Sequence, residues 1–368
     1  MGPLFLGFIP LGIVIVGHFM YPTKVNRYEI IIAAAISILL GYGLYALGKT
    51  ISMTSTEIWN GEITGTSKSV VYYRNVYTTC NSKGKNCRTR VDEGHNMNWY
   101  AQSNLGRFTI RHVNCSSAFK GICNSRYPDP SRWLNIRVGD PVSRTHHYLN
   151  YVKAADYGLF NRSMVDGTTE KYPELEYPIR IYDHYRINRV LLDGVDLPNA
   201  GQWNMELSNI LRTLGPQRQA NMILVLTNAT NPSYADMLID AWEGANKNDI
   251  VITAGFPSGN VDEAPNWVSI HSWAKYDIFN VTLRDELLAN PEWWLSPTVL
   301  FTNVQQITMD TFERRPMKEF EYLKDEITPS WGIMIMMSII GALFGTGMVY
   351  LSYRFDLFNT GDGGDRLW

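Results

Sequence analysis

Three long apolar runs bracket a mixed middle. Leu4 to Met20 is apolar apart from His18, Ile30 to Gly48 has no charge, and Trp331 to Tyr353 is a run of 23 residues without one. A helix that crosses a bilayer needs about 20 such residues. The second and third runs meet that requirement. The first is shorter and reads either as a third span or as a signal peptide. It has no Lys or Arg ahead of it and no small-x-small cleavage site before Tyr21, which favours a span. Three spans are expected.

The middle changes period along its length. From Asn199 to Glu286 the pattern reads helix, strand, helix, strand, strand, helix. Trp203, Leu207, Ile210, Leu211 and Leu214 fall at helical spacing, and Gly215-Pro216 is expected to end the run. Asn221 to Thr227 is a continuous apolar run of the kind buried on both faces of a helix-covered sheet. Asn231-Pro232-Ser233 looks like a helix start with Ser233 as N-cap, followed by the stripe Tyr234, Leu238, Ile239 and Trp242 and a stop at Gly244. Asp249 to Thr253 is a second buried strand, Trp267 to His271 a half-buried third, and Val281 to Leu288 a short helix. Leu295 to Val304 reads as the amphipathic start of another helix, and Pro316 as the first turn of one edged by Met317, Phe320, Leu323 and Ile327. Helices and strands alternating across short links predict an α/β layer sandwich.

Residues 56–155 have a different texture. Glu57 to Gly65 and Ser69 to Tyr77 read as strands, as do Arg88 to Ala101, Arg107 to Val113 and Trp133 to Val138, with turns at Tyr127-Pro-Asp-Pro130 and Gly139-Asp-Pro141. Residues 161–178 read as irregular, and Ile179 to Leu192 crosses back to the α/β core. The expected order is two spans with a short cytoplasmic hairpin (1–49), a β-rich module (50–178), the α/β domain (179–312), a membrane-proximal helix (313–330), the third span (331–353) and a tail (354–368). The fold class is α+β, membrane-anchored.

Charge and cysteine set the expected orientation. Lys24 and Arg27 in the first hairpin favour its cytoplasmic placement, which puts residues 50–330 outside and the tail inside. Arg314, Arg315, Lys318 and Lys324 pull the other way, but they alternate with acids as a solvated face does. All four cysteines lie in the large segment as two close pairs, Cys80/Cys87 and Cys115/Cys123. Such pairing in an exterior domain reads as two local disulfides, each worth about 2.5 kcal/mol by loop closure. A four-cysteine zinc site is the alternative, with ligand spacings looser than usual. The net charge of −2 leaves no electrostatic footprint for nucleic acid. The 21 Tyr and 11 Trp fit a membrane-proximal or β-rich chain.

Candidate chemistry is sparse. Phosphate-binding glycine loops, Gly-x-Ser-x-Gly and His-Glu-x-x-His are all missing from the sequence, and no cofactor is expected. Asp193 and Asp196 flank a turn before the first core helix and are the one candidate metal pair; the competing reading is a turn and a helix start. Asn248-Asp249 enters a strand rather than leaving one, so it reads as structural. His146 and His147 read as metal ligands or as a polar surface pair; being adjacent they point to opposite faces of a strand, so at most one serves a given site, which favours the surface pair. Asn114, Asn161, Asn228 and Asn280 begin glycosylation sequons that matter only in a eukaryotic lumen. In the third span, Ser338, Gly341, Gly345 and Gly347 form a small-residue seam. Ala34, Ser37, Gly41 and Tyr45 form another in the second. Such seams serve either contacts between copies or packing within one chain.

The order of helix, the strand Ala220 to Leu226, the helix Tyr234 to Trp242, then Asn246-Lys-Asn-Asp249 into a second strand resembles the TPM domain, a small α/β domain of membrane-tethered proteins. With His147-Tyr-Leu-Asn-Tyr151 and Arg315 to Leu323, the chain also resembles uncharacterised membrane proteins of bacteriophages and bacteria. The resemblance spans roughly residues 55–330. It implies a phosphatase, a Ca²⁺ binder or an accessory factor in membrane-complex assembly. The reading that follows is a non-catalytic scaffold or accessory subunit of an envelope assembly, whose partners are the bilayer, further copies of itself and other envelope proteins. The alternatives are a tethered hydrolase using a metal near Asp193 and Asp196, and a receptor or exclusion module.

Overall fold

The computed structural model describes residues 2–22, 24–25, 27–82, 84–85, 87–110, 129–154, 173–182 and 186–355. In chain order the elements are α1 (Pro3–Met20), α2 (Arg27–Met53), β1 (Thr54–Thr79), β2 (Arg88–Ser103), β3 (Gly106–Ile110), α3 (Ser131–Leu134), β4 (Pro141–Leu149), α4 (Tyr151–Ala154) and β5 (Val190–Asp193). Then come α5 (Ala200–Arg218), β6 (Asn221–Thr227), α6 (Ser233–Ala241), β7 (Asp249–Gly255), β8 (Trp267–Ser272), α7 (Ile278–Ala289), α8 (Pro297–Thr311) and α9 (Trp331–Phe355). The chain divides into two compact units.

One unit gathers residues 1–55, 147–168 and 317–368. Among the described residues, α1, α2 and α9 are long and apolar enough to cross a membrane. Small residues set how closely they pack. A Cβ on Gly41 would lie 2.6 Å from the Gly7 nitrogen of α1, and one on Gly345 would lie 2.8 Å from the Pro10 Cα of α1. The seams of α2 and α9 therefore both seat on α1 within one chain, rather than on each other. A Cβ on Gly341 would lie 3.5 Å from Pro10 and 3.6 Å from the Leu6 carbonyl, while one on Gly347 would meet open space, and the Ser338 hydroxyl bonds back to the Met334 carbonyl of its own helix. In the same unit Met53 and Ile327 pack with Tyr151 and Leu323. The segment Met317–Glu326 is a 3₁₀ helix where the sequence predicts an α-helix, and it has no buried residue of its own. Its Leu323 edge packs, half-buried, against the Met53 and Ile327 cluster.

The other unit, residues 56–146 and 169–316, holds two sheets. The first has the order β3-β2-β1-β4. The two strands expected at Glu57 to Gly65 and Ser69 to Tyr77 are one 26-residue strand, with a register shift between Ile63 and Gly65. Trp133 to Val138, expected as a strand, instead begins inside the single helical turn α3, where Trp133 N and Leu134 N both bond to the Pro130 carbonyl, and the rest of it pairs with no strand among the described residues. Its core is Ile63, Trp99, Ala101, Ile110 and Val142.

The second sheet has the order β5-β6-β7-β8, parallel up to β7, with β8 antiparallel. The sequence reading missed β5, which is only four residues long. β6 and β7 are buried at all seven positions each, as continuous apolar runs require. Met222, Leu224, Leu226, Ile250, Ile252 and Ala254 meet α5, α7 and α8 on one face. The alternate residues Ile223, Val225 and Val251 are just as buried and stand outside that cluster, as do the buried residues of α6. Helix α6 begins at Ser233 after the N-cap Pro232, with no side-chain cap, so Ser233 is not the N-cap expected; its N–H bonds to the Asn231 side chain at 3.0 Å.

Helix α5 does not stop at Gly215-Pro216. It runs to Arg218 and ends on Gln219 in the left-handed conformation (φ 53°). Gly215 serves a close approach instead: a Cβ there would lie 2.1 Å from the backbone oxygen of Asn60 in β1.

Candidate functional site

In open α/β sheets ligands dock at the carboxyl ends of parallel strands. Here those ends are Asp193, Thr227 and Gly255. Asp193, one of the two candidate metal ligands, does lie there. Its Oδ2 accepts the Tyr234 hydroxyl at 2.7 Å. Burial, with Asp193 beside it, raises the Tyr234 hydroxyl well above the usual tyrosine range, so it stays a donor. Asp196 is fixed through its backbone, its N–H bonding the Gly259 carbonyl at 3.2 Å. Among the described residues no group of three or more His, Cys, Asp or Glu is placed to hold a metal ion. The edge is further filled by Trp267, whose indole N–H donates to the Ala229 carbonyl at 2.9 Å, and whose ring covers Gly255 so closely that a Cβ there would lie 2.1 Å from Nε1. The Asn228 side chain packs on Gly194.

The densest polar chemistry is at the opposite, amino ends of β6 and β7, where they meet β1 and β4. Arg189 is 1% exposed, one residue before β5. Its Nη2 donates to Asn60 Oδ1 at 2.5 Å and Ser143 Oγ at 2.9 Å, and its Nε to Asn221 Oδ1 at 3.1 Å. Asn221 passes the chain on to Asp249 Oδ1 at 2.9 Å, while Asp249 Oδ2 accepts from Tyr177 and from the Asn246 N–H, both at 2.8 Å. Burial dominates both charges: it lowers the Arg189 guanidinium to about 10 and pushes the Asp249 carboxyl up to about 6.

A second knot surrounds the fully buried Glu57. Its Oε1 accepts from Trp59 Nε1 at 2.8 Å and lies 3.1 Å from His146 Nδ1, whose ring stacks on Trp59 at 3.7 Å between centroids. Lys247 and Arg314 stand 3.8 Å away. His146 is thus part of the join between strands rather than a free surface residue. Asn248 Nδ2 bonds the Ile58 carbonyl at 2.7 Å, in line with the structural reading of Asn248-Asp249. Arg189, Asn60 and Glu57 went unnoticed in the sequence. Their signal was faint: a charge or amide inside or beside a strand, with no partner nearby in sequence.

A cleft of about 300 Å³ beside α5 is lined by Tyr182, Arg186, Asn188, Asn204 and Ser208. Asn204 Oδ1 already accepts the Arg189 and Val190 N–H groups, and Ser208 donates to the Asn204 carbonyl. Of the sequons, Asn280 sits in α7 with its Oδ1 accepting the Ser272 hydroxyl, whereas Asn114 and Asn161 lie outside the described residues.

The cysteines divide likewise. Cys80 and Cys87 form the expected local disulfide at the tip of the β1–β2 ribbon. Cys115 and Cys123 lie outside the described residues. Comparison with protein-family models, curated proteins and solved structures gave no match.

Proposed function

We propose that the protein is a membrane-anchored, non-catalytic scaffold or accessory subunit of an envelope assembly, built from several copies of itself with its large region on the exterior side. The observation that carries this reading is the filled carboxyl edge of the parallel strands. Asp193 is engaged by the Tyr234 hydroxyl, and Trp267 occupies the space over Gly255. A hydrolase of the TPM type would need that carboxylate and that space for substrate and metal. The buried polar knots serve a scaffold: their hydrogen bonds fix two sheets to each other in one register.

The test is purification of the full chain in mild detergent, with mass by light scattering and hydrolysis of p-nitrophenyl phosphate measured with and without Mg²⁺ or Ca²⁺. The expected result is a mass of two or more copies and no turnover, both unchanged by Asp193→Asn. Metal-dependent turnover lost in a folded Asp193→Asn variant would establish the hydrolase instead, and a monomer would remove the scaffold reading.

A further inference from the structure

The β1–β2 ribbon is longer than its sheet. β2 pairs with β1 from Arg88 to Ser103 but with β3 only from Trp99 to Ser103. Along Arg88 to Asn98 its outer edge has no strand neighbour among the described residues. Two strands alone are marginally stable in water, and an unpaired edge is a template for another strand. This edge is not blunted by proline or a short strand. Val91 is 44% exposed, and Val76, its partner across the ribbon, is 58% exposed.

The edge also carries a charge pattern. Arg88 and Arg90 precede Val91, and Asp92 and Glu93 follow it. Glu93 is paired with Arg74 at 2.8 Å. Arg88, Arg90 and Asp92 are exposed and have no ion-pair partner among the described residues. A basic half followed by an acidic half is complementary to itself when reversed. An acidic or a basic partner of another kind would satisfy one half and repel the other.

We infer that this edge of β2 pairs antiparallel with the same edge of a second copy, about a two-fold axis at Val91, to make one four-stranded sheet. The inference rests on the homo-oligomeric reading above and names its contact. In such a pair, residues equidistant from the axis face each other. Centred on Val91, Arg90 faces the partner's Asp92, Asp92 faces the partner's Arg90, and the two valines meet. Centring on Arg90, Asp92 or Glu93 sets like charges face to face, and centring on Thr89 sets Arg88 against Arg90. Like charges directly opposite destabilise a ladder. Val91 is therefore the one centre from Thr89 to Glu93 that pairs opposite charges without setting like charges face to face.

The test uses the full chain in mild detergent. Facing Cβ atoms lie about 4.5–5.5 Å apart, within reach of a disulfide after small adjustment. Val91→Cys should form a crosslinked dimer on mild oxidation, and Thr78→Cys, exposed on the other strand, should not. Arg90→Asp and Asp92→Arg should each weaken the dimer by roughly tenfold, through two lost attractions and two new repulsions. The double exchange should restore it, and mixing the two single variants should give the heterodimer. An oligomer by light scattering that neither crosslinks through Val91→Cys nor responds to the charge exchange overturns this contact and leaves the homo-oligomeric reading standing. A monomer that fails to crosslink overturns both.

Discussion

Replacing Arg189 by Met removes the centre of the buried polar network while keeping most of the side-chain volume. The sign of the effect is a contest. The side chain makes three hydrogen bonds of 3.1 Å or less, to Asn60, Ser143 and Asn221. Bonds from a charged donor contribute about 1.5–3 kcal/mol each, so roughly 4–9 kcal/mol is lost. Against that, burial holds the guanidinium at about 10 instead of 12.5, a strain of roughly 3 kcal/mol that Met relieves. No acceptor is left bare, because Ser143 still donates to Asn60 Oδ1 and Asn60 Nδ2 to Asn221 Oδ1. The net expectation is a loss of about 1–6 kcal/mol, which spans the roughly 3–5 kcal/mol seen when one partner of a buried charged network is removed. Arg189→Lys should be at least as damaging, since it keeps the buried charge and cannot make the forked contacts. The assay is urea unfolding of the full chain in detergent, followed by tryptophan fluorescence. A Met variant within about 0.5 kcal/mol of the parent would refute the idea that this network holds the two sheets together. A Lys variant as stable as the parent would show that charge matters and the hydrogen-bond geometry does not.

Further expectations concern other parts of the chain. Asp249 has a folded value of about 6 against 3.8. The folded state therefore binds the extra proton between those values, so this group's contribution is most favourable below pH 3.8 and declines by roughly 3 kcal/mol as pH rises through 6; urea midpoints from pH 3.5 to 7.5 should show a decline that Asp249→Asn lacks. Gly215→Ala would add up to about 1 kcal/mol of helix propensity at most sites, but here the Cβ would meet the Asn60 oxygen at 2.1 Å; a net loss of about 1–3 kcal/mol is expected, and stabilisation in the same urea assay would contradict the close approach. Gly17→Cys with Val349→Cys should crosslink α1 to α9, since a Cβ on Gly17 reaches within 2.6 Å of Val349; adding Gly345→Leu should abolish the crosslink, and its persistence would refute Gly345 as the close-packing point.

The elements that could be read from sequence are those whose pattern is set by their own burial. Three apolar runs gave three helices long enough to span, because every turn of a spanning helix faces lipid or another helix. The runs at Asn221 and Asp249 gave buried strands, because a strand covered on both faces has no polar position to interrupt it. Cys80 and Cys87 were legible as a pair because a short loop brings them together whatever else folds.

What the tertiary structure decided lies where distant segments meet. Gly215-Pro216 carries a stop signal locally, yet α5 continues, because the missing Cβ is needed against a strand about 155 positions earlier in sequence. The two glycine seams of the spans were visible, but not that α1 receives both, since a seam states that something comes close and not what. Asp193 reads in the sequence as a ligand or a turn residue, and only the fold brings the Tyr234 hydroxyl to its carboxylate. Arg189 looked like an ordinary solvated charge; its burial depends on Asn60, Ser143 and Asn221 arriving from three other strands. Local physics sets periods, caps and turns, whereas the partner of a buried polar group is chosen only when the sheets come together.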